Sequence, residues 1–160
     1  MAINADPIKL DTPAAVARLV ELYENLTPES LATLGDIYAA QARFKDPFNE
    51  VRGVAAIRQV FAHMFLHLEQ PRFVVTQRLV QGTQAFLAWQ FHFRLRRWRP
   101  GVDQCIEGAT LLQFDADARV ALHRDYWDTS EELYQKLPFL GALMRWLCRA
   151  GSATRAADPA

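Results

Sequence analysis

The feature that most constrains this chain is a change of period at Pro71. Before it, apolar residues recur at helical spacing; after it, they form long β-branched and aromatic runs broken by turns. Val16, Leu19, Val20 and Tyr23 repeat at i, i+3, i+4 and i+7 behind a Thr12-Pro13 start signal, which predicts a buried helical face. Thr27-Pro28 repeats that signal, and Leu31, Leu34 and Tyr38 carry a second stripe to about Ala40. Val54, Ile57, Phe61, Met64, Phe65 and Leu68 mark a third helix between Gly53 and Pro71. Strands follow at Phe73–Val80, Ala85–Trp98, Cys105–Phe114 and Arg119–Trp127, with turns at Gly82, Pro100-Gly101 and Asp115-Ala116-Asp117. A last helix opens on a capping box, Thr129 with Glu132, and after Pro138 its apolar side runs through residues 139–149. Helices, then a meander, then a closing helix predict an α+β domain with helices on one face of a curved antiparallel sheet.

Composition narrows the function classes. The 160 residues carry 18 basic and 18 acidic side chains, so the basic footprint of a nucleic-acid binder is missing and no nucleic acid is expected as partner. Two cysteines, Cys105 and Cys148, are too few for a disulfide framework or a cysteine zinc site, and they fit a reducing compartment. No apolar run reaches the roughly 18 residues of a membrane span, and Met1–Pro13 has no apolar signal core. One cytoplasmic domain over 13–150 is expected, after an N-terminal arm at 1–12 and before a flexible tail at 151–160. Glycine-rich nucleotide loops and the Gly-x-Ser-x-Gly elbow are absent, which removes those nucleotide-binding and serine-hydrolase readings.

Residues Ala42-Arg43-Phe44-Lys45-Asp46-Pro47, a short loop, Arg52-Gly53 and Ala55-Ala56-Ile57-Arg58 form a pattern. It resembles a signature of the nuclear transport factor 2-like superfamily, which includes ketosteroid isomerases, SnoaL-like polyketide cyclases and limonene epoxide hydrolases. The resemblance resumes at Phe114-Asp115 and runs from Arg119-Val120 through Tyr126-Trp127, so it spreads over about residues 13–136. It implies a cone-shaped nuclear transport factor 2-like (cystatin-like) fold, a curved antiparallel sheet with helices on its concave face. It also implies an apolar pocket, a homodimer through the sheet, and chemistry without a cofactor. Carried over by position, Asp46 matches the general base of the isomerases, and their second, protonated aspartate falls at Thr110. The isomerase tyrosine on the first helix falls at Leu22, beside Tyr23, and another falls at Phe61. His123, Asp125 and Trp127 match positions that face the pocket, and SnoaL-like cyclases are similar in placing an acid on a late strand. The comparison also favours the His92 face of the strand over 85–98 as pocket lining.

The residues carry their own argument. Alternation puts Ala121, His123, Asp125 and Trp127 on one face of the last strand. An imidazole and a carboxylate about 7 Å apart on that face can share a water or a substrate proton. Asp46 precedes Pro47 and so sits in extended backbone, where an apolar cone would raise its pKa toward that of a useful base. The alternative is a turn aspartate that hydrogen-bonds local backbone before Asn49. His63 and His67 share a helical face but lack a third ligand, so no metal is expected. Arg94, Arg96, Arg97 and Arg99 form either an anion site or a solvated hairpin end.

The expected activity is acid/base isomerisation or cyclisation of a small apolar carbonyl or epoxide compound. Its catalytic residues are Asp46, Asp125 and His123, and its ligand contacts are Tyr23, Phe61, Met64, His92, Thr110 and Trp127. The competing readings are a non-catalytic binder of a lipid, polyketide or terpenoid, and a dimerisation module with a vestigial pocket.

Overall fold

The structure is a computed structural model that describes residues 11–96 and 101–128. The chain divides into two compact units after Trp127. The capping box at Thr129, the helix over 139–149, the tail at 151–160, Cys148, Arg97, Arg99 and the arm through residue 10 lie outside the described residues.

Helix α1 (Thr12–Glu24) is capped by Asp11, whose side chain accepts the Ala14 N–H at 3.0 Å. The cap therefore sits one residue before the Thr12 that the sequence suggests. Thr12 is buried instead, and its hydroxyl reaches the Gly82 carbonyl at 2.7 Å, tying the helix start to a distant turn. The second stripe does not make a long helix. A 3-10 turn (Glu29–Thr33) and a one-turn helix α2 (Leu34–Ile37) run straight into strand β1 (Tyr38–Lys45). Leu31, Leu34 and Tyr38 are all buried, as the stripe requires, but Tyr38 is buried because it opens a strand paired with Val120.

A turn and the short strand β2 (Glu50–Arg52) lead to α3 (Val54–His67), which starts after Gly53 at φ +88°. That left-handed backbone favours glycine. Ile57 and Phe61 of α3 are buried, while Met64 is half-buried. The strands β3 (Leu68–Gln81), β4 (Gln84–Leu95), β5 (Asp103–Phe114) and β6 (Val120–Tyr126) then meander as the texture predicts.

The sheet order is β2-β1-β6-β5-β4-β3. It departs from the all-antiparallel expectation in one place, because β1 lies parallel to β6. A strand that precedes α3 returns beside the last strand of the meander, so a crossover makes that pair parallel. Pro71 does not stop the chain's extended course. It lies inside β3, at an irregularity between Glu69 and Arg72 where Gln70 takes φ +50°. The edge position of β3 tolerates a proline, which has no N–H to give a neighbour.

The core lies between α1, α3 and one face of the sheet. Leu19, Val16, Val20, Leu34, Ile57, Leu112 and Val120 are essentially inaccessible there. Each such side chain contributes roughly 1.5–3 kcal/mol of transfer free energy. Of β4, the odd-numbered residues Ala85, Leu87, Trp89 and Phe93 face this core. Gly108 of β5 lies opposite Trp89, and a Cβ added there would collide with the indole ring. The missing side chain is what lets the indole lie across β5.

Candidate functional site

Five elements bring polar groups together under the helices. β4 supplies Trp89, β5 Thr110, β6 His123 and Asp125, β1 Tyr38, and α1 Tyr23. The cross-strand register places Thr110 opposite Asp125 and Leu112 opposite His123, so the face that buries Leu112 also carries the chemistry.

The groups form one continuous hydrogen-bonded row. The Trp89 indole N–H donates to Thr110 Oγ1 at 2.8 Å, and Thr110 donates to Asp125 Oδ1 at 2.5 Å. The same oxygen meets His123 Nε2 at 2.9 Å, which makes Nε2 the nitrogen that carries a proton. His123 Nδ1 lies 2.9 Å from the Tyr38 hydroxyl, which in turn bonds the Tyr23 hydroxyl. Phe44 stacks on the imidazole with ring centres 4.7 Å apart, holding its plane. Among the described residues no buried side-chain nitrogen or oxygen is left without a partner.

Burial grades along the row. The His123 side chain is 4% exposed and Asp125 is 16% exposed. Asp125 therefore has one oxygen tied into the row, while Oδ2 makes no hydrogen bond to the described residues. Burial pushes the Tyr23 phenol well above its ordinary value of 10.0, and the neighbouring Tyr38 adds to the rise. Burial raises Tyr38 as well, partly offset by the hydrogen bond from Tyr23 and reinforced by the charge of Asp125. Neither phenol ionises near neutral pH, so both hydroxyls remain donors.

A small cavity opens against this row. It measures about 30 Å³, and its polar edge is made of Tyr23, Thr110, His123 and Asp125. Its walls are Phe61 of α3, Phe73 and Val75 of β3, and Leu87 and Trp89 of β4. A single water needs about 10–15 Å³ of such space, so the volume holds about two waters.

The sequence-derived candidates divide accordingly. Tyr23, Phe61, Thr110, His123 and Asp125 meet at the cavity. Asp46 does not. Its Oδ1 accepts the backbone N–H groups of Phe48 at 2.7 Å and Asn49 at 2.5 Å, and Asn49 Nδ2 reaches Oδ2 at 2.9 Å. That is the turn-aspartate alternative, closing the link from β1 to β2. Trp127 packs edge-on against Phe48 beside the same turn, with ring centres 5.4 Å apart, and is not in the cavity wall. Met64 packs on the core's margin without reaching the cavity.

His92 lies on the opposite face of β4 from Trp89, so the preference for its face is corrected. It borders a separate polar hollow with Arg72, Arg94 and Asp103. Arg94 is already paired with Asp103 at 2.6 Å, and Arg96 lies 3.6 Å from Glu69, which favours the solvated hairpin reading of that arginine cluster. His63 and His67 touch through Nε2 at 3.0 Å on the exposed side of α3. Among the described residues no three potential ligands gather to hold a metal ion.

Sequence reasoning missed two members of the row. Tyr38 reads as part of a helical stripe, and Trp89 as plain core. Gly108 in the middle of a strand-like run was the available signal for Trp89, because an interior strand glycine marks a close approach.

A family model for the SnoaL-like domain matches residues 19–123. No curated protein matches. Among solved structures, the fold is similar to a protein with a ketosteroid isomerase-like fold from Catenulispora acidiphila, in complex with trimethylamine. The two are 19% identical over 79% of this chain and 95% of that one, with a TM-score of 0.66. A candidate SnoaL-like polyketide cyclase from Shewanella putrefaciens is 19% identical, covering 76% and 95% of the two chains at TM-score 0.63. An epoxide hydrolase of the LEH-like type from M. tuberculosis is 15% identical, covering 90% and 98% at TM-score 0.62. At these identities the likeness is one of fold.

Proposed function

The chain belongs to the SnoaL-like domain family, and from that premise we propose that it is a cofactor-independent acid/base enzyme for a small apolar carbonyl or epoxide compound, an isomerase or cyclase. The observation that carries the reading is the row itself. The Asp125 carboxyl and the Tyr23 phenol border one cavity, with Thr110 and His123 between them and apolar walls opposite, and each is held by further hydrogen bonds.

Asp125 is the base. Its Oδ2 takes a proton from the carbon beside a carbonyl, while Thr110 and His123 hold Oδ1 and fix the carboxylate's orientation. Tyr23 faces the oxygen on which charge develops. A positioned base of this kind is worth roughly 10²–10⁴ in rate. The substrate is small, and its entry displaces Phe73 and Val75, which stand half-exposed on the edge strand. Asp46 serves the turn and not the chemistry.

A second reading has its own support. The aromatic side chains of Tyr23, Phe61, Phe73 and Trp89 line the same space as the Asp125 carboxyl. Aromatic walls with a carboxylate suit a small alkylammonium ion, and the Catenulispora acidiphila neighbour holds trimethylamine. Binding without turnover is the outcome that reading expects.

The working form is a cytoplasmic homodimer paired through the sheet. Leu79, Val80 and Phe86 are large apolar side chains exposed on β3 and β4, and with Leu111 they border a hollow of about 460 Å³. Native mass spectrometry of the full chain, followed by solvent extraction, tests the substrate class. A co-purifying neutral carbonyl or epoxide compound supports the enzyme reading. An alkylamine in its place overturns it in favour of the binder.

A further inference from the structure

A row of hydrogen bonds has a direction, and this one is set at one end only. The Trp89 indole N–H can only donate, so Thr110 accepts from it and spends its own proton on Asp125. Asp125 Oδ1 thus accepts from both sides, and His123 Nε2 carries a proton whether the ring is neutral or charged. Beyond Nδ1 the direction is open. With a neutral ring, Nδ1 accepts from Tyr38 at 2.9 Å, and Tyr23 donates either to Tyr38 or across 3.5 Å to Nδ1 itself. The Tyr23 proton then points away from the cavity, and only lone pairs face a ligand. With an imidazolium, Nδ1 donates to Tyr38, Tyr38 donates to Tyr23, and the Tyr23 proton turns into the cavity.

We infer that Tyr38 and His123 form a reversible proton relay that decides whether Tyr23 meets a ligand as acceptor or as donor. The inference deepens the proposed reading of the cavity as the reaction site and rests on it. The proton count balances at each step. A proton taken up at the Tyr23 oxygen displaces the Tyr23 proton to Tyr38 and the Tyr38 proton to Nδ1; the reverse sequence delivers a proton to a substrate oxygen. Neither phenol changes its charge. The depth of both hydroxyls keeps them protonated through the neutral range.

The titratable groups that face the ring, among the described residues, are Asp125 from β6, Tyr38 from β1 and Tyr23 from α1. Phe44 of β1 stacks on the ring, and β5 and α3 bring Leu112, Thr110 and Phe61, none of which titrates. Tyr38 is fully buried and does not line the cavity, so it acts as a positioning residue through Tyr23.

Two measurements on the full chain test this. The first needs no ligand: nitrogen-15 NMR of the His123 ring across a pH titration. The expected neutral ring carries its proton on Nε2 and leaves Nδ1 bare. A neutral ring protonated on Nδ1, or a ring that never takes a second proton before the chain unfolds, overturns the relay. The second uses cyclopent-2-enone as the probe, read by its affinity and its carbonyl stretch. Affinity should rise about tenfold as His123 takes its proton, the gain of roughly one hydrogen bond to the carbonyl. Tyr38→Phe should reduce the pH dependence to what the direct 3.5 Å contact of Tyr23 with Nδ1 carries, and Tyr23→Phe should abolish both that dependence and the shift of the stretch. Binding of equal strength at all pH values refutes the relay while leaving the site intact. A probe that never binds counts against the carbonyl reading, and the ring's tautomer then decides the relay by itself.

Discussion

Two buried phenols beside a carboxylate give individual residues a measurable signature. Tyr23 and Tyr38 have their folded values raised above the ordinary 10.0 by burial. A raised value means that the unfolded chain loses these protons first, so their contribution is complete below pH 10 and lost as the pH rises beyond it. Each phenol costs about 1.4 kcal/mol of stability per pH unit in that range. Urea denaturation between pH 9 and pH 11 should show a steep loss, and Tyr38→Phe should make it shallower. At this scale the sequence was legible for His123 and Asp125, because period-2 alternation alone puts both on one face. It was not legible for Tyr38, whose spacing from Leu31 and Leu34 fits a helix as well as the turn-and-strand path that the chain takes. Asp46 shows the limit from the other side. Its place before Pro47 suits a rim base and a turn cap equally, and the neighbouring Asn49 claims both its oxygens. Asp46→Ala should cost about 1–2 kcal/mol by losing those turn bonds, while turnover in the folded fraction stays at the wild-type level.

The elements were read well where period and turn chemistry agree. Strands β3 to β6 and helices α1 and α3 lie close to where apolar spacing puts them, and the departures have local causes. A proline inside β3 is harmless because β3 is an edge, which a linear reading of the chain does not reveal. The parallel partner of β1 is likewise a property of the crossover and leaves no mark in local sequence. The choice of face on β4 turned on Gly108, which makes room for the Trp89 indole. Gly108→Ala should therefore destabilise the chain by roughly 1–3 kcal/mol through overpacking, as measured by urea denaturation. It should also shift Trp89 fluorescence, because the indole must leave Thr110.

On the scale of the whole molecule, the account joins one carboxylate to one cavity and one exposed apolar face to a second copy. The exposed Leu79 and Phe86 lead us to expect a solution mass twice that of the 18.2 kDa chain, falling to one chain in Phe86→Glu. Light scattering checks it. The central claim is that Asp125 works as a base inside the cavity, and exchange of α-protons tests it most directly. Cyclopentanone and cyclopent-2-enone in deuterated water, followed by proton NMR, report carbon-bound proton removal whatever the natural product is. The account predicts exchange by the wild-type chain and a fall of at least about 10²-fold in Asp125→Asn, with Asp46→Asn unchanged. Exchange that survives in Asp125→Asn and disappears in Asp46→Asn would contradict it and move the chemistry to the turn.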